Sequence, residues 1–386
     1  MNKPVTYILY AFSAATVLPM SATSIALGLL LLFFIWDLYR KNIHLADFKK
    51  DSLLYVLLYA WKAFTRTLAT SIKEIPQLKG VWDRIPYIVI GFYAIHRKTV
   101  LRIFHILFIA NSLLVLYALG QRYLGMPALY KPLFYFNSAR ISGYFGHPNQ
   151  YAGCISIVLL LNICMTIYHS KRFFAYTPFL LLGLAYSGSR SYFLGVFVCF
   201  LVLLYLSRSW KTILTYSVVA VIALSVFMVA VPWFPERIKA SFSVSMNAYR
   251  LNFWKVSWNT FLEHPVVGVG SGMLPKVLEP YEDARIIDNS AHAHSLYLHA
   301  LAEDGVPGFI LVVGIHAYFL YKYFVVFRKN TDPLLRAFSL GVALAFLNLL
   351  VAGVFENNFG AAIVAMNINF LMGVLEGYQV AGSTPT

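Results

Sequence analysis

Apolar residues run through this chain in long stretches, and polar residues collect at the joints between them. A helix needs about 20 mostly apolar residues to cross a bilayer, within a range of roughly 17–25. Twelve stretches are candidates: residues 5–20, 23–39, 52–70, 82–95, 100–120, 150–168, 173–188, 191–206, 212–232, 304–326, 335–354 and 359–377. A membrane strand would show about ten residues of alternating polarity, whereas residues 192–206 are apolar on every face. Lys62 and Arg66 interrupt the third stretch, and the fourth is short. A second apolar stretch follows residues 5–18 at once, so they read as a first spanning helix and not as a cleaved signal.

Composition agrees. Of 386 residues, 59% are hydrophobic and 12% are charged, against about 25% charged in a soluble domain. The expected fold is an all-α integral membrane protein, one polytopic domain over residues 1–386. The net charge of +15 would suggest nucleic acid in a soluble protein. In a membrane protein it fits cationic cytoplasmic loops and anionic lipid contact, so membrane lipids and not nucleic acid are the expected partners. Cys154, Cys164 and Cys199 all fall inside apolar stretches and read as packing residues, with no disulfide or metal framework implied.

Cations test the span count, because short cytoplasmic loops are rich in Lys and Arg. With the N-terminus in the cytoplasm, the even-numbered connections are residues 40–50, 96–102, 169–172, 208–211 and 328–336, and each holds at least two Lys or Arg. Both termini then lie in the cytoplasm. Two outward connections are long, residues 121–150 and 233–303. They also hold cations, among them Arg140, Arg250, Lys276 and Arg285. Cations there run against the topology bias, and an anionic substrate bound on the outer side accounts for them.

The larger outward connection holds the densest chemistry. Asn289-Ser290-Ala291-His292-Ala293-His294-Ser295 brings two histidines together, with His299 close behind, just ahead of Glu303-Asp304-Gly305-Val306-Pro307-Gly308. Histidine titrates nearest neutral pH, so the cluster suits proton transfer or anion contact. Zinc fits poorly, because there is no His-Glu-x-x-His pattern and His292 and His294 lack helical ligand spacing. Upstream, apolar spacing over residues 253–261 predicts an amphipathic helix. Arg250 precedes Trp254 by four residues on one face of it. Its planar fork of donors fits phosphate oxygens, or it solvates the loop surface. Gly268-Val269-Gly270-Ser271-Gly272 lacks the Lys-Ser/Thr of a phosphate-binding loop and reads as a turn that permits close backbone packing.

In the smaller outward connection, Arg140 and His147 precede Pro148-Asn149-Gln150. Pro in a first turn starts a helix well, and the free N–H groups there attract anions. Ordinary helix initiation explains the same residues. Ser187-Gly188-Ser189-Arg190-Ser191 sets Arg190 between two apolar stretches, where it either snorkels to the interface or belongs to a polar pocket. Glu356, in the tight turn before the last stretch, is placed to orient a cation or an arginine, or simply makes the turn polar.

Taken in order, these motifs resemble the O-antigen ligase and polymerase superfamily. The likeness rests on the loop arginine, Gly-x-Gly-x-Gly, His-x-His-Ser and Gly-Val-Pro-Gly, with Ser189-Arg190 and a Gly-x-Phe-x-x-Pro-Asn-x-x-Ala form at residues 143–152. It implies a multi-helix membrane glycosyltransferase (GT-C type), inverting, independent of metal and cofactor. It also implies a place in the bacterial inner membrane, with the site on the periplasmic face. Such ligases take polysaccharide from undecaprenyl pyrophosphate and attach it to a sugar of lipid A–core in lipopolysaccharide biosynthesis.

By position, the family's histidine with its downstream glycine falls on His294 and Gly305. Its loop arginine falls on Arg250, with Trp254 where Leu is usual, and its membrane-embedded arginine on Arg190. His294 is then the base for the acceptor hydroxyl, worth about 10²–10⁴-fold. Arg190 and Arg250 hold the pyrophosphate. Arg140, His147, Asn149, Gln150, His292 and His299 are further substrate-binding candidates. Repulsion from the arginines is expected to keep His294 neutral.

A polymerase of the same superfamily is the nearest alternative, and His-x-His-Ser with compact loops favours the ligase. A protein O-oligosaccharyltransferase would carry a further outer domain. A transporter of a lipid-linked anion would place charged or broken segments near the bilayer midplane, whereas residues 212–232 hold no charge and polar residues collect on one side.

Overall fold

The computed structural model describes residues 3–44, 50–70, 80–129, 131–134, 139–206, 233–239, 243–281 and 292–383, with single positions between 211 and 225. α1 (Lys3–Ala15), α2 (Met20–Tyr39) and α3 (Ser52–Thr70) come first. A 3₁₀ turn (Trp82–Arg84) leads into α4 (Ile85–Ile90), followed by α5 (Arg97–Tyr123) and α6 (Pro148–Tyr168). A second 3₁₀ stretch (Lys171–Tyr176) precedes α7 (Thr177–Ser187) and α8 (Arg190–Leu206). The large connection folds into α9 (Trp233–Lys239), α10 (Val244–Glu263) and α11 (Leu274–Leu278). Last come α12 (Leu296–Lys329), α13 (Pro333–Ala352) and α14 (Ala362–Ser383). Among the described residues the only paired extended chain is an isolated bridge between Phe134 and Ile141.

Five helices, α2, α5, α6, α12 and α13, are long and apolar enough to cross a membrane by length and composition. Of the other expected spans, residues 52–70 and most of 359–377 fall in helices of 19 and 22 residues that are less apolar, and most of the rest are shorter or interrupted for local reasons. Residues 5–20 give a 13-residue helix. Residues 82–95 give only the 3₁₀ turn and the six residues of α4. Beyond α4 the chain turns back, and the Ile95 N–H donates to Gly377 O of α14 at 2.9 Å. Residues 173–188 divide at Thr177, where a proline in the first turn starts α7. The expected span at 212–232 lies outside the described residues apart from single positions.

α6, α13 and α14 form the centre. Residues 363–377 of α14 are buried without a break, and α13 packs on α6, α12 and α8. Lipid tails are as apolar as leucine, so close packing and polar links hold such helices together, each link worth about 0.6–2 kcal/mol. Asn348 Nδ2 donates to Ser156 Oγ between α13 and α6 (2.8 Å), and Tyr55 OH to Asn369 Oδ1 between α3 and α14 (3.0 Å).

Several of the even-numbered connections meet one another, as do several of the odd-numbered ones. Arg97 Nη1 pairs with Asp332 Oδ1 at 2.8 Å, joining the fourth connection to the tenth. His169, in the sixth, is held below the usual histidine pKa by burial and then by Arg97. The third, fifth, ninth and eleventh connections meet instead around one cavity, through Gly80, His147, His292 and Glu356.

Candidate functional site

α6 starts where its sequence says a helix should. His147 is the N-cap: its Nδ1 accepts from the Asn149 N–H at 3.1 Å, and Pro148 occupies the first turn. Asn149 then reaches outward with both ends of its amide. Its Nδ2 donates to Glu356 Oε1, and its Oδ1 accepts from Arg140 Nη2 at 2.9 Å. Arg140 Nε also donates to Ser187 O at the end of α7 (2.8 Å). The same Glu356 oxygen accepts from Arg250 Nη2, on α10, at 3.0 Å. One buried carboxylate oxygen therefore ties the start of α6 to the loop arginine through charge-assisted bonds, the stronger kind.

The histidine segment packs on α10. His294 has a φ of 46°, uncommon for a residue with a Cβ and a strain of order 1–3 kcal/mol. Its N–H donates to His292 Nδ1 (3.1 Å), and its carbonyl accepts from Trp254 Nε1 (3.4 Å). The His292 and His294 ring centres lie 4.1 Å apart, and Phe253 stacks on His294 at 6.1 Å. Because His292 Nδ1 accepts, a neutral His292 carries its proton on Nε2. Ser295 then caps α12 by accepting from the Leu298 N–H.

His294 is 8% exposed, and its Nδ1 has no hydrogen-bond partner among the described residues. Its pKa falls to about 2, first through burial and then through His292, Arg250 and His147. The imidazole is neutral, as expected, but the main cause differs. Burial leads, and Arg250 ranks behind His292.

α12 bends at Gly305, whose φ of 67° and ψ of −170° are not helical. Pro307 has no N–H, so Glu303 O loses its donor within the helix. The Gly-rich turn substitutes for the broken ladder. Gly270 N–H donates to Glu303 O (3.0 Å) and Val269 N–H to Ala302 O (2.9 Å), while Val306 N–H turns to Pro265 O (2.9 Å). A Cβ on Gly268 or Gly305 would collide with the backbone across this contact. The turn thus serves close backbone packing.

Glu303 and Asp304, beside the bend, meet α3. Lys62 Nζ lies 2.6 Å from Asp304 Oδ2 and 3.8 Å from Glu303 Oε2. His299 Nε2 is 3.3 Å from Glu303 Oε2, one turn earlier on α12. Arg66 Nη1 donates to Ser271 O at 3.2 Å, which fastens the Gly-rich turn to the same helix.

These pieces line one cavity of about 730 Å³. His147, Asn149, Gln150, His292, His294 and His299, six of the nine expected site residues, are on its wall. None of the three arginines lines it, and two of them, Arg250 and Arg140, stand one residue behind it. Arg250 bonds Glu356 and Arg140 bonds Asn149, both wall residues. Arg190 bonds Asn247 Oδ1 at 3.1 Å, one turn before Arg250 on α10. Neither Arg190 nor Arg250, the expected pyrophosphate-binding residues, is among the residues that line the cavity.

Another part of the lining was missed in the sequence. It carries Lys62, Arg66, Asp83, Arg84, Glu303, Asp304 and His316. A signal existed, since ionisable residues inside apolar stretches are functional candidates. Lys62 and Arg66 had counted only against the third span. Among the described residues, no three His, Cys, Asp or Glu side chains converge in a metal-holding group.

No curated protein matches the chain. Residues 175–313 match the family model described as O-antigen ligase. The matched segment starts in the 3₁₀ stretch just before α7, passes through α10 and the Gly-rich turn, and ends beyond the bend of α12; it contains Arg190, Arg250, His292, His294 and His299. Over this segment the chain is similar to the O-antigen ligase family, and the helical architecture of the described residues, with its membrane-length apolar helices, is consistent with membership of that superfamily.

Proposed function

We propose that this protein is a ligase that transfers polysaccharide from undecaprenyl pyrophosphate to a sugar of lipid A–core. It would act in the bacterial inner membrane, with both termini cytoplasmic and the cavity on the periplasmic side. The observation that carries the proposal is neutral His294 on the cavity wall, its Nδ1 without a partner among the described residues, with Arg250 near enough to act on it and held by Glu356 of the same wall.

The acceptor hydroxyl oxygen attacks the anomeric carbon opposite the leaving group, so configuration inverts. The bond from that carbon to the phosphate oxygen breaks, and its electron pair leaves with the pyrophosphate. His294 Nδ1 takes the hydroxyl proton. Arg250 and Arg190 stabilise the negative charge that grows on the leaving group, where preorganised donors act most strongly. Glu356 occupies one corner of the Arg250 fork and leaves its remaining donors to the phosphate.

With a pKa of about 2, His294 is a weak base while no anion is beside it. A base works best with a pKa near the operating pH, and a neighbouring anion raises a histidine pKa. The donor's pyrophosphate therefore both fills the site and primes its base.

A deletion strain tests the assignment. A ligase leaves lipid A–core bare while carrier-linked polymer accumulates. Single repeat units attached to the core would assign the chain to the polymerases instead.

A further inference from the structure

One part of the cavity lining, called the floor below, is chemically unlike the part that carries His292, His294 and His299. Asp83, Arg84 and His316 line it while almost fully buried, at 2%, 6% and 1% exposure. Arg84 and His316 converge on Phe359. Arg84 Nη2 donates to Phe359 O at 3.2 Å, the guanidinium lies 5.3 Å from that ring, and His316 lies 3.5 Å from it. Tyr59 faces the same guanidinium at 5.8 Å. Arg84 Nη1 bonds Gly80 O (3.0 Å) and Asp83 Oδ2 (3.2 Å).

Three polar atoms in this group have no partner among the described residues: Asp83 Oδ1, Arg84 Nε and His316 Nε2. Their roles follow from chemistry. Arg84 Nε–H donates, and the Asp83 carboxylate oxygen accepts. His316 Nδ1 lies 2.5 Å from Val312 O. A carbonyl only accepts, so the ring proton is on Nδ1 and Nε2 is an acceptor.

A phosphate needs donors around it, and two of these three atoms accept. Vicinal sugar hydroxyls donate and accept side by side, and the faces of Tyr59 and Phe359 suit the apolar C–H face of a ring. We propose that the cavity floor is a saccharide subsite, in which Asp83, Arg84 and His316 hold a pyranose ring apart from the pyrophosphate end. Its place in a reaction rests on the glycosyl-transfer proposal above, but its binding does not.

The test uses full-length protein in lipid nanodiscs. Saturation-transfer NMR is recorded with methyl α-pyranosides of gluco, galacto and manno configuration, and inorganic pyrophosphate is the second probe. At least one pyranoside is expected to bind the wild type. His316→Phe, which keeps a ring against Phe359, and Asp83→Asn are each expected to weaken it at least about fivefold. Pyrophosphate is expected to bind both variants as it binds wild type, without displacing the sugar. Displacement of the pyranoside by lipid A–core assigns the subsite to the acceptor; displacement by carrier-linked polysaccharide assigns it to the donor.

Thermal midpoints confirm folding, and His316→Phe decides alone should Asp83→Asn unfold. The subsite is overturned if no pyranoside binds wild type, if pyrophosphate displaces the sugar, if neither polymer does, or if the folded variants bind like wild type. Absence of transfer activity with sugar binding intact would overturn the transferase assignment and leave the subsite standing.

Discussion

Arg250 and Glu356 lie 106 positions apart and meet at 3.0 Å. Asn149 donates to the same Glu356 oxygen, so the turn after α13 sets the position of an arginine on α10. Glu356 is 6% exposed, and a buried carboxylate without partners is costly, which makes its geometry well defined.

Glu356→Gln is expected to lower transfer on the order of 10²-fold through misplacement of Arg250. A double-mutant cycle with Arg250→Gln is expected to give a coupling of about 0.5–3 kcal/mol in transfer rate. Strictly additive effects would show that the pair does not work as a unit.

His294 gives the protein an acid sensitivity of known sign. In the folded chain it stays neutral down to about pH 2, whereas an unfolded histidine takes its proton near pH 6.5, by the usual reference value. Between those values the unfolded state binds more protons, so stability falls as pH drops below about 6.5. His294→Gln is expected to flatten that fall, read as thermal midpoints between about pH 7 and 5. Inorganic pyrophosphate is expected to raise the His294 pKa in NMR titrations. An unchanged titration in a pyrophosphate-bound sample would remove the priming role.

Gly305 gives a reason, in backbone geometry, for a glycine that the sequence could only align with a family. At its φ of 67° a Cβ costs about 1–3 kcal/mol in strain, and here it would also strike Val266 O. Gly305→Ala is expected to lower the thermal midpoint and transfer activity together. Gly314→Ala, further along α12 where a Cβ meets nothing within 4 Å, is the control and is expected to leave both intact. Equal behaviour of the two variants would mean that the bend is not needed.

The sequence displayed what depends on local order. Residues 147–150 announced the start of α6, and residues 289–299 announced the histidines. The Gly-rich turn read as a packing device, and it is one. The part that was hidden depends on distant pairing. Nothing local says that Asn149, Arg250 and Glu356 share one oxygen. Lys62 looked like a flaw in α3 because Asp304, its 2.6 Å partner, is 242 positions away. One expected span was read as too long for a related reason. Residues 82–95 are apolar enough, but they dock on α14 as a short helix and a turn.

The most direct measurement is transfer in vitro, with purified protein, carrier-linked polysaccharide and lipid A–core, in the presence of EDTA. Wild-type protein is expected to join polysaccharide to lipid A–core at the same rate with and without chelator. His294→Ala is expected to retain no more than about 1% of that rate while still folded. Wild-type transfer by His294→Ala, or loss of wild-type transfer on chelation, would contradict a histidine base working with arginines on a pyrophosphate leaving group.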